Sequence, residues 1–214
     1  MSPLTIDAAG MAVILKNLAS DMKEHCEELW ELDAKVGDGD LGVTVELISK
    51  ALSEYLVSTE EEDVGKLLMQ CGMSINRANP STFATLLASA FMGGGKVVMG
   101  KTSIEPPELV LIGEGAIENI KKRGKAEVGG KTLLDTIVPA VSTFKKEIDS
   151  GTGINNAISA TVKAAEEGMN ATIDMKAKFG RARWFQDSSI GIRDGGATAM
   201  YYMIKAFAKH LDLY

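Results

Sequence analysis

Apolar residues recur at intervals of three and four along most of the chain, the spacing that places them on one face of an α-helix. In the first stretch, residues 5–30, this spacing is followed by Met11, Ile14, Leu18 and Met22. Eight such stretches succeed one another, and no sustained alternation of apolar and polar residues marks a β-strand. Six of the predicted helices cover residues 5–30, 42–57, 80–92, 107–123, 153–172 and 197–211. The third opens with the acidic run 60–63 and has its apolar face from Val64 to Cys71, and the sixth follows a cap at Thr132 and has its apolar face from Leu134 to Ile148.

Capping residues and glycines mark where these helices begin and end. Asn79 followed by Pro80 predicts an N-cap and the first helical residue behind it. The three glycines at 93–95 predict the end of that helix, and Gly124 predicts a left-handed stop after the fifth helix. Short connections between most helices favour a single all-α domain.

Composition and charge narrow the classes of partner. The net charge of −6 argues against a nucleic-acid binder, and no run of basic residues contradicts this. We find no apolar run of bilayer length and no basic-then-apolar leader, so we predict a cytoplasmic protein that does not enter a membrane. Cys26 and Cys71 lie within apolar helical patterns, as expected of small core residues in a reducing compartment.

The stretch 32–42, between the first two predicted helices, packs three carboxylates and three glycines into eleven residues. Glycines on both sides of Asp38 favour a tight turn on which Asp33, Asp38 and Asp40 converge. Converging carboxylates repel one another unless a cation lies between them, and oxygen ligands favour Mg²⁺ or Ca²⁺. An EF-hand fits poorly, because Ser49 stands where that loop requires Glu. The pattern therefore predicts an Mg²⁺–phosphate site, with a solvated turn as the alternative.

Two further stretches are compatible with binding a phosphate group. Asn79, Ser81 and Thr82 place polar side chains and free backbone N–H groups at a helix start, although capping explains the same residues. The loop 174–196 is rich in glycine, lysine and arginine. A loop of this length in a compact domain is usually functional or disordered, so it is predicted either as a cationic lid or as a solvated loop.

Two other patterns in the sequence, a P-loop-like triplet and two histidines, do not indicate a catalytic site on this chain. Gly130-Lys131-Thr132 resembles the end of a P-loop, but Lys125 stands where that motif requires its first glycine. We therefore assign the triplet to a turn and a helix cap. His25 and His210 are predicted on helix surfaces, and neither has a neighbour in the sequence that suggests catalysis.

Three motifs, taken in order, resemble those of the nucleotide-binding L subunit of dihydroxyacetone kinases. They run from Asp33 to Gly42, from Gly129 to Asp135 and from Gly180 to Ala197. The family fold is an antiparallel barrel of eight helices with the nucleotide at one end. The resemblance therefore implies one helical barrel domain over residues 1–214.

The resemblance also implies the ligands of the site. By position, Asp33, Asp38 and Asp40 would hold the metal, as two Mg²⁺ ions, and no other catalytic residue is expected on this chain. Leu41 stands where the family has His, which removes a polar contact near the phosphates. Contacts to ADP or ATP would come from Leu41, Gly42, Val43, Thr44, Asn79, Ser81, Thr82, Gly124, Leu133, Arg181, Asp194 and Gly195.

The implied function is that of a kinase subunit. It would pass a phosphoryl group to a small ketose or triose held on a partner K-type subunit, and the donor would be either ATP or a phosphotransfer-system protein. Phosphoryl transfer requires mainly positioning and charge neutralisation, so no base is needed on this chain. The alternative is a non-catalytic nucleotide-binding regulator that docks a transcription factor, as some relatives of the family do.

Overall fold

Nine α-helices follow one another along residues 4–211, the part of the chain that the computed structural model describes. Single turns of 3-10 helix cover Lys23–His25 and Thr172–Asp174, and two further short 3-10 helices within Arg181–Ser189 meet at a kink at Gln186. The all-α prediction is confirmed. The helices are α1 Ala8–Met22, α2 Cys26–Val36, α3 Leu41–Ser58, α4 Val64–Ala78, α5 Thr82–Val97, α6 Pro106–Gly124, α7 Leu134–Asp149, α8 Ile154–Ala171 and α9 Gly195–Leu211.

The only strands in this range are two-residue segments, β1 (Ile6–Asp7) and β2 (Ser103–Ile104). They pair antiparallel, with Ile6 opposite Ile104, and both isoleucines are buried. This short ladder fixes the entry to α1 beside the connection that leads into α6. No helix within residues 4–211 has the length and apolar character needed to cross a membrane.

Eight of the helices close into a ring, because each packs on the next and α9 returns to α1. The order around the ring is α1, α3, α4, α5, α6, α7, α8 and α9, and α2 lies outside it against α3 and α9. This is the helical barrel that the resemblance implies. The inward-facing apolar side chains surround an elongated cavity of about 240 Å³, lined among others by Met11, Leu87, Phe144 and Met200.

Several helix boundaries differ from the sequence prediction. The third helix, predicted to open with the acidic residues 60–63, begins at Val64, because Asp63 is its N-cap and accepts from the Lys66 N–H. The helix predicted over 5–30 is divided by the 3-10 turn Lys23–His25, which redirects the chain into α2. The helix predicted to end at glycines 93–95 continues to Val97. These glycines serve packing, because a Cβ at Gly93 would lie 2.3 Å from the carbonyl oxygen of Gly115 on α6. Small residues let neighbouring helices approach closely without ending the helix that carries them.

Two predicted caps are also displaced. Ser81, rather than Asn79, is the N-cap of α5, and its hydroxyl accepts a hydrogen bond from the Ala84 N–H at 3.1 Å. Asn79 instead donates through Nδ2 to the Thr44 hydroxyl at 3.0 Å, which ties the α4–α5 connection to α3. Gly124 is the last residue of α6, and the left-handed conformation falls on Lys125, at φ +50°.

Candidate metal and nucleotide site

A cavity of about 210 Å³ opens at one end of the ring of helices. The α2–α3 turn, the start of α5, the end of α6, the α6–α7 connection and the 174–196 segment all contribute to its wall. These stretches lie far apart in sequence. The predicted site residues that line the cavity are Asp33, Asp38, Asp40, Leu41, Ser81, Thr82, Gly124, Leu133, Arg181, Asp194 and Gly195.

The three aspartates of the α2–α3 turn converge as the sequence predicts. One carboxylate oxygen from each of Asp33, Asp38 and Asp40 lies within 4.8 Å of the others. Asp33 Oδ2 also accepts a hydrogen bond from the Asp40 N–H at 2.9 Å, which folds the turn back onto α2. Gly37 is required here, because a Cβ at that position would lie 2.2 Å from Asp33 Oδ1.

The chemistry of this donor set fits a hard divalent cation. All three ligands are carboxylate oxygens, and two of the three side chains are exposed enough for water or a phosphate to complete the coordination. Burial raises the pKa of Asp40, and the neighbouring Asp33 carboxylate raises it further. A cation at this point would relieve that repulsion.

Arg181 lies against the same carboxylates. Its guanidinium forms an ion pair with Asp38 and lies 3.6 Å from Asp40 Oδ2. The resemblance assigns Arg181 to the nucleotide, and the structure brings it to the aspartates from the 174–196 segment. The 174–196 segment therefore reaches over the Asp turn and supplies a positive charge to it.

Two long helices, α5 and α9, begin in the wall of this cavity. Ser81 and Thr82 are at the start of α5, and Gly195 is the first residue of α9. Such helix ends favour phosphate groups. Asp194 precedes α9, and its Oδ2 accepts a hydrogen bond from the Ala197 N–H at 2.8 Å.

Asp194 lies in a strongly desolvated position. Burial raises the pKa of its carboxyl to about 6, and the carboxylates of Asp135 and Asp33 act in the same direction. The Ala197 N–H and the ammonium group of Lys131 oppose this shift. A proton or a cation near Asp194 would therefore stabilise this side of the cavity.

The remaining wall of the cavity is apolar, and the sequence analysis does not predict it. Phe83, Leu86, Ile120 and Phe179 contribute to it, beside Leu133. An apolar wall next to a few convergent polar groups is typical of a nucleotide or other small-molecule site. In the sequence, the first three of these residues are part of ordinary helical apolar patterns, so no local signal separates them from the core.

Four of the twelve predicted nucleotide contacts do not line the cavity. Gly42 packs against α2, since a Cβ there would lie 2.2 Å from the Cys26 carbonyl oxygen. Val43 is 53% exposed to solvent. Thr44 is fully buried, and its hydroxyl accepts a hydrogen bond from Asn79. In this structure Gly42, Val43, Thr44 and Asn79 therefore lie outside the wall of the cavity.

Lys131 is buried, although the sequence assigns it only to a turn. The side chain is 1% exposed, and Nζ lies within hydrogen-bond distance of four backbone carbonyl oxygens. Burial lowers the pKa of Lys131, while the carboxylates of Asp194 and Asp174 act to raise it. The ammonium group is directed at the 174–196 segment instead of at the cavity centre.

The two histidines have partners that the sequence does not reveal. The His25 ring stacks on Tyr202 with the ring centroids 3.6 Å apart, and His210 Nε2 lies 3.0 Å from Asp21 Oδ2. Both lie outside the set of residues that line the cavity. Tyr202 donates to Glu28 at 2.5 Å, and burial together with this hydrogen bond raises the pKa of Tyr202 to about 12.

Glu28 links α2 to the start of α9. Besides the hydroxyl of Tyr202, its carboxylate pairs with Arg193, the residue before Asp194. Glu28 therefore connects α2, which leads into the Asp turn, with the residues at and after the start of α9.

Comparison with known proteins gives a match along nearly all of the chain. The family model of the DAK2 domain matches residues 35–209. The chain is 30% identical over 218 residues to the PEP-dependent dihydroxyacetone kinase 2, ADP-binding subunit DhaL, of Listeria innocua, and the match covers 99% of this chain and 98% of that protein. It is 29% identical over 182 residues to the corresponding DhaL subunit of Escherichia coli, with 85% of this chain and 87% of that protein covered. By name these relatives belong to kinases, which are phosphotransferases.

Among solved structures, the dihydroxyacetone kinase from C. freundii in complex with AMP-PNP and Mg²⁺ has a similar fold, with a TM-score of 0.73 and 22% sequence identity. The match covers 92% of this chain and 33% of that one, so this chain spans about a third of that kinase. The similarity of structure agrees with the similarity of sequence over the same helices. Since the family model extends over residues 35–209 of 214, this chain belongs to the DAK2 domain family.

Proposed function

We propose that this chain binds ADP or ATP together with Mg²⁺ and passes a phosphoryl group to a small ketose held on a K-type partner subunit. The observation that carries this proposal is the convergence of three carboxylates and two long-helix N-termini on one cavity with an apolar wall. Few other ligands combine a metal-bound polyphosphate with an apolar ring system. The names of the relatives, ADP-binding subunits of dihydroxyacetone kinases, support the same function.

Each part of the cavity has a role in this proposal. Asp33, Asp38 and Asp40 would hold Mg²⁺, two ions in the arrangement we favour, which would supply positive charge beside the phosphates. The N–H groups at the start of α5 and of α9 receive phosphate oxygens. The apolar wall beside Leu133 receives the base. Arg181, which lies against these carboxylates, would contact the phosphates, because both groups are anionic.

The phosphoryl donor and the acceptor come from outside this chain. Transfer requires an in-line arrangement of acceptor and terminal phosphate, and little more from the protein than position and charge. The relatives from Listeria innocua and Escherichia coli are PEP-dependent by name. We therefore favour a bound ADP that a phosphotransfer-system protein rephosphorylates, over ATP that binds and leaves as ADP in each cycle.

Isothermal titration calorimetry of Mg²⁺ and ADP tests the proposal. The Asp38→Asn variant removes one ligand charge at an exposed position, so we expect ADP affinity in the presence of Mg²⁺ to fall by about tenfold or more. Without Mg²⁺ the variant and the wild type should bind ADP equally weakly. The helical circular dichroism signal should stay unchanged, because the Asp38 side chain is not part of the core.

The matched control is Asp149→Asn, an exposed aspartate at the end of α7 and remote from the cavity. It should bind Mg·ADP like the wild type. Unchanged affinity in Asp38→Asn would refute the assignment of the metal ligands, and the absence of Mg·ADP binding by the wild type would refute the function.

A further inference from the structure

The 174–196 segment is held at both of its ends by one side chain from another part of the fold. Lys131 Nζ lies 2.8 Å from the Thr172 carbonyl oxygen and 3.1 Å from that of Met175, where the chain leaves α8. It lies 2.6 Å from the carbonyl oxygens of Ser189 and Ile192, where the chain approaches α9. A single buried ammonium group therefore joins the two limbs of the segment.

We infer that Lys131 is a positioning residue for the nucleotide site, and this inference rests on the proposed function. Its ammonium clamps the two limbs of the 174–196 segment, which fixes Arg181 above the Asp turn and Asp194 at the start of α9. Lys131 takes no part in binding phosphate, because its N–H donors are already directed at backbone carbonyl oxygens.

The backbone around Lys131 is shaped for this role. Lys131 has φ +60°, a left-handed conformation that is unfavourable for a residue with a Cβ and persists only where the surroundings hold it. The neighbouring Gly130 contacts the same segment, since its carbonyl oxygen accepts from the Lys178 N–H at 3.1 Å. A Cβ on Gly130 would lie 2.7 Å from the Phe179 ring. The α6–α7 connection therefore packs directly against the 174–196 segment.

Other contacts also join the two limbs of the segment: the Asp194 N–H donates to the Thr172 hydroxyl at 3.0 Å, and the exposed Lys176 and Asp187 side chains form an ion pair at 2.8 Å. Neither contact satisfies the carbonyl oxygens that accept from Lys131. Ser189 Oγ accepts from the Ala177 N–H at 3.0 Å and donates to the Gln186 carbonyl oxygen at 2.7 Å. The Gly191 N–H donates to the Ile173 carbonyl oxygen at 2.8 Å. These bonds join the limbs near Lys131, whereas residues 181–188 are mostly exposed. Removing the ammonium would leave its carbonyl acceptors unsatisfied at the point where the limbs meet.

The test compares Lys131→Met with the wild type. Methionine retains the apolar stem and a similar length but removes the charge and all three donors. In the absence of nucleotide, we expect trypsin to cleave after Arg181 and Arg183 at least about tenfold faster in the variant, because the segment opens locally. The affinity for Mg·ADP should fall by a similar factor. Saturating Mg·ADP should slow cleavage in the variant again, which loss of the whole fold would not allow.

The control is Lys163→Met on α8, whose side chain is exposed and pairs only with Glu167 one turn away. It should match the wild type in both measurements. Lys131→Arg retains a charge and donors, so it should be cleaved more slowly than Lys131→Met. Cleavage of Lys131→Met at the wild-type rate with unchanged ADP affinity would overturn the inference, as would Lys131→Arg that is no better than Lys131→Met.

Hydrogen exchange of the wild type keeps the inference testable if Lys131→Met does not fold. The amides of Ala177 and Gly191, one on each limb, should be protected without nucleotide and should exchange at similar rates, because one clamp holds both limbs. Exchange of either amide at the rate of an unstructured peptide would contradict the clamp. If the wild type binds no Mg·ADP, the proposed function fails. The cleavage and exchange measurements without nucleotide would still test whether Lys131 holds the two limbs together.

Discussion

At the scale of single residues, a buried carboxylate shapes the connection that carries Lys131. Asp135 is 3% exposed, and its two oxygens accept hydrogen bonds from the backbone N–H groups of Gly129 and Thr132. The Thr132 hydroxyl in turn accepts from the Leu134 N–H at 3.2 Å. The sequence predicts a helix cap at Thr132, but the N-cap of α7 is Leu133, and Thr132 lies in the turn that Asp135 closes in front of the helix.

Asp135→Asn should therefore destabilise the protein. The amide retains one acceptor oxygen and places an NH₂ group against a backbone N–H, which leaves a buried donor without a partner. We expect a loss of about 2 kcal/mol in the free energy of unfolding. The measurement is urea denaturation followed by circular dichroism, with Asp149→Asn as the exposed control, expected to change by less than about 0.5 kcal/mol. Equal midpoints for the two variants would show that the Asp135 hydrogen bonds contribute nothing to stability.

The local sequence predicts the convergence of Asp33, Asp38 and Asp40 because eight residues and their glycines determine that turn. The contact of Arg181 with these carboxylates depends on a return of the chain from far along the sequence, which no local pattern encodes. Lys131 is missed for the same reason, since its acceptors lie 41 to 61 residues away. Residues whose role is set by neighbours in sequence can be predicted, and residues whose role is set by tertiary packing cannot.

At the scale of elements, the ring closes where the last helix meets the first. Asp21 near the end of α1 contacts Lys209 at 2.8 Å and His210 at 3.0 Å, both in the last turn of α9. Periodicity predicts both helices, but it does not predict that they are neighbours. The same limit applies to α5, where glycines that look like a helix stop are the surface on which α6 packs.

The Asp21 contacts predict a pH dependence of stability. Burial would raise the pKa of Asp21, but the hydrogen bonds from Lys209 and His210 outweigh it, so the pKa lies below its ordinary value of 3.8. A carboxyl with a lowered folded-state pKa stabilises the fold fully above its unfolded pKa, and this stability is lost as the pH falls through the folded value. Asp21→Asn should thus lower stability by about 1 kcal/mol at pH 7, with the difference shrinking between about pH 5 and pH 2.

Thermal unfolding at several pH values measures this effect, again with Asp149→Asn alongside. A difference between Asp21→Asn and the wild type that stays constant down to pH 2 would mean that the ionised carboxylate is not what closes the ring.

At the scale of the whole molecule, the cavity lies at one end of the barrel and has an exposed rim. Trp184 is 72% exposed and stacks under the guanidinium of Arg183, whose carbon atom lies 4.7 Å from the ring centroid. Phe185 beside it is 38% exposed. Aromatic and arginine side chains of this kind are enriched at protein interfaces. The rim is on the 174–196 segment, and under the proposed function we expect it to be the surface on which a partner that brings the acceptor docks.

The cavity itself offers no group to hold a ketose covalently. Within the described residues no histidine lines it, and its lining lysine, Lys131, is occupied by backbone carbonyl oxygens. We therefore expect the isolated chain, supplied with Mg·ATP and dihydroxyacetone or erythrulose, to show no sustained phosphorylation of the ketose. With a K-type partner present, transfer should begin.

Charge reversal at the rim separates docking from nucleotide binding. Arg183→Glu should reduce partner-dependent transfer by about tenfold or more, because it reverses a charge at the proposed contact, while ADP affinity measured by calorimetry changes little. Lys163→Glu, an equal reversal on the exposed face of α8, should leave both unchanged. Unchanged partner-dependent transfer in Arg183→Glu would show that the partner docks on another surface of the molecule. Sustained turnover by the chain alone would mean that it holds its own acceptor site, and the two-subunit mechanism would have to be abandoned.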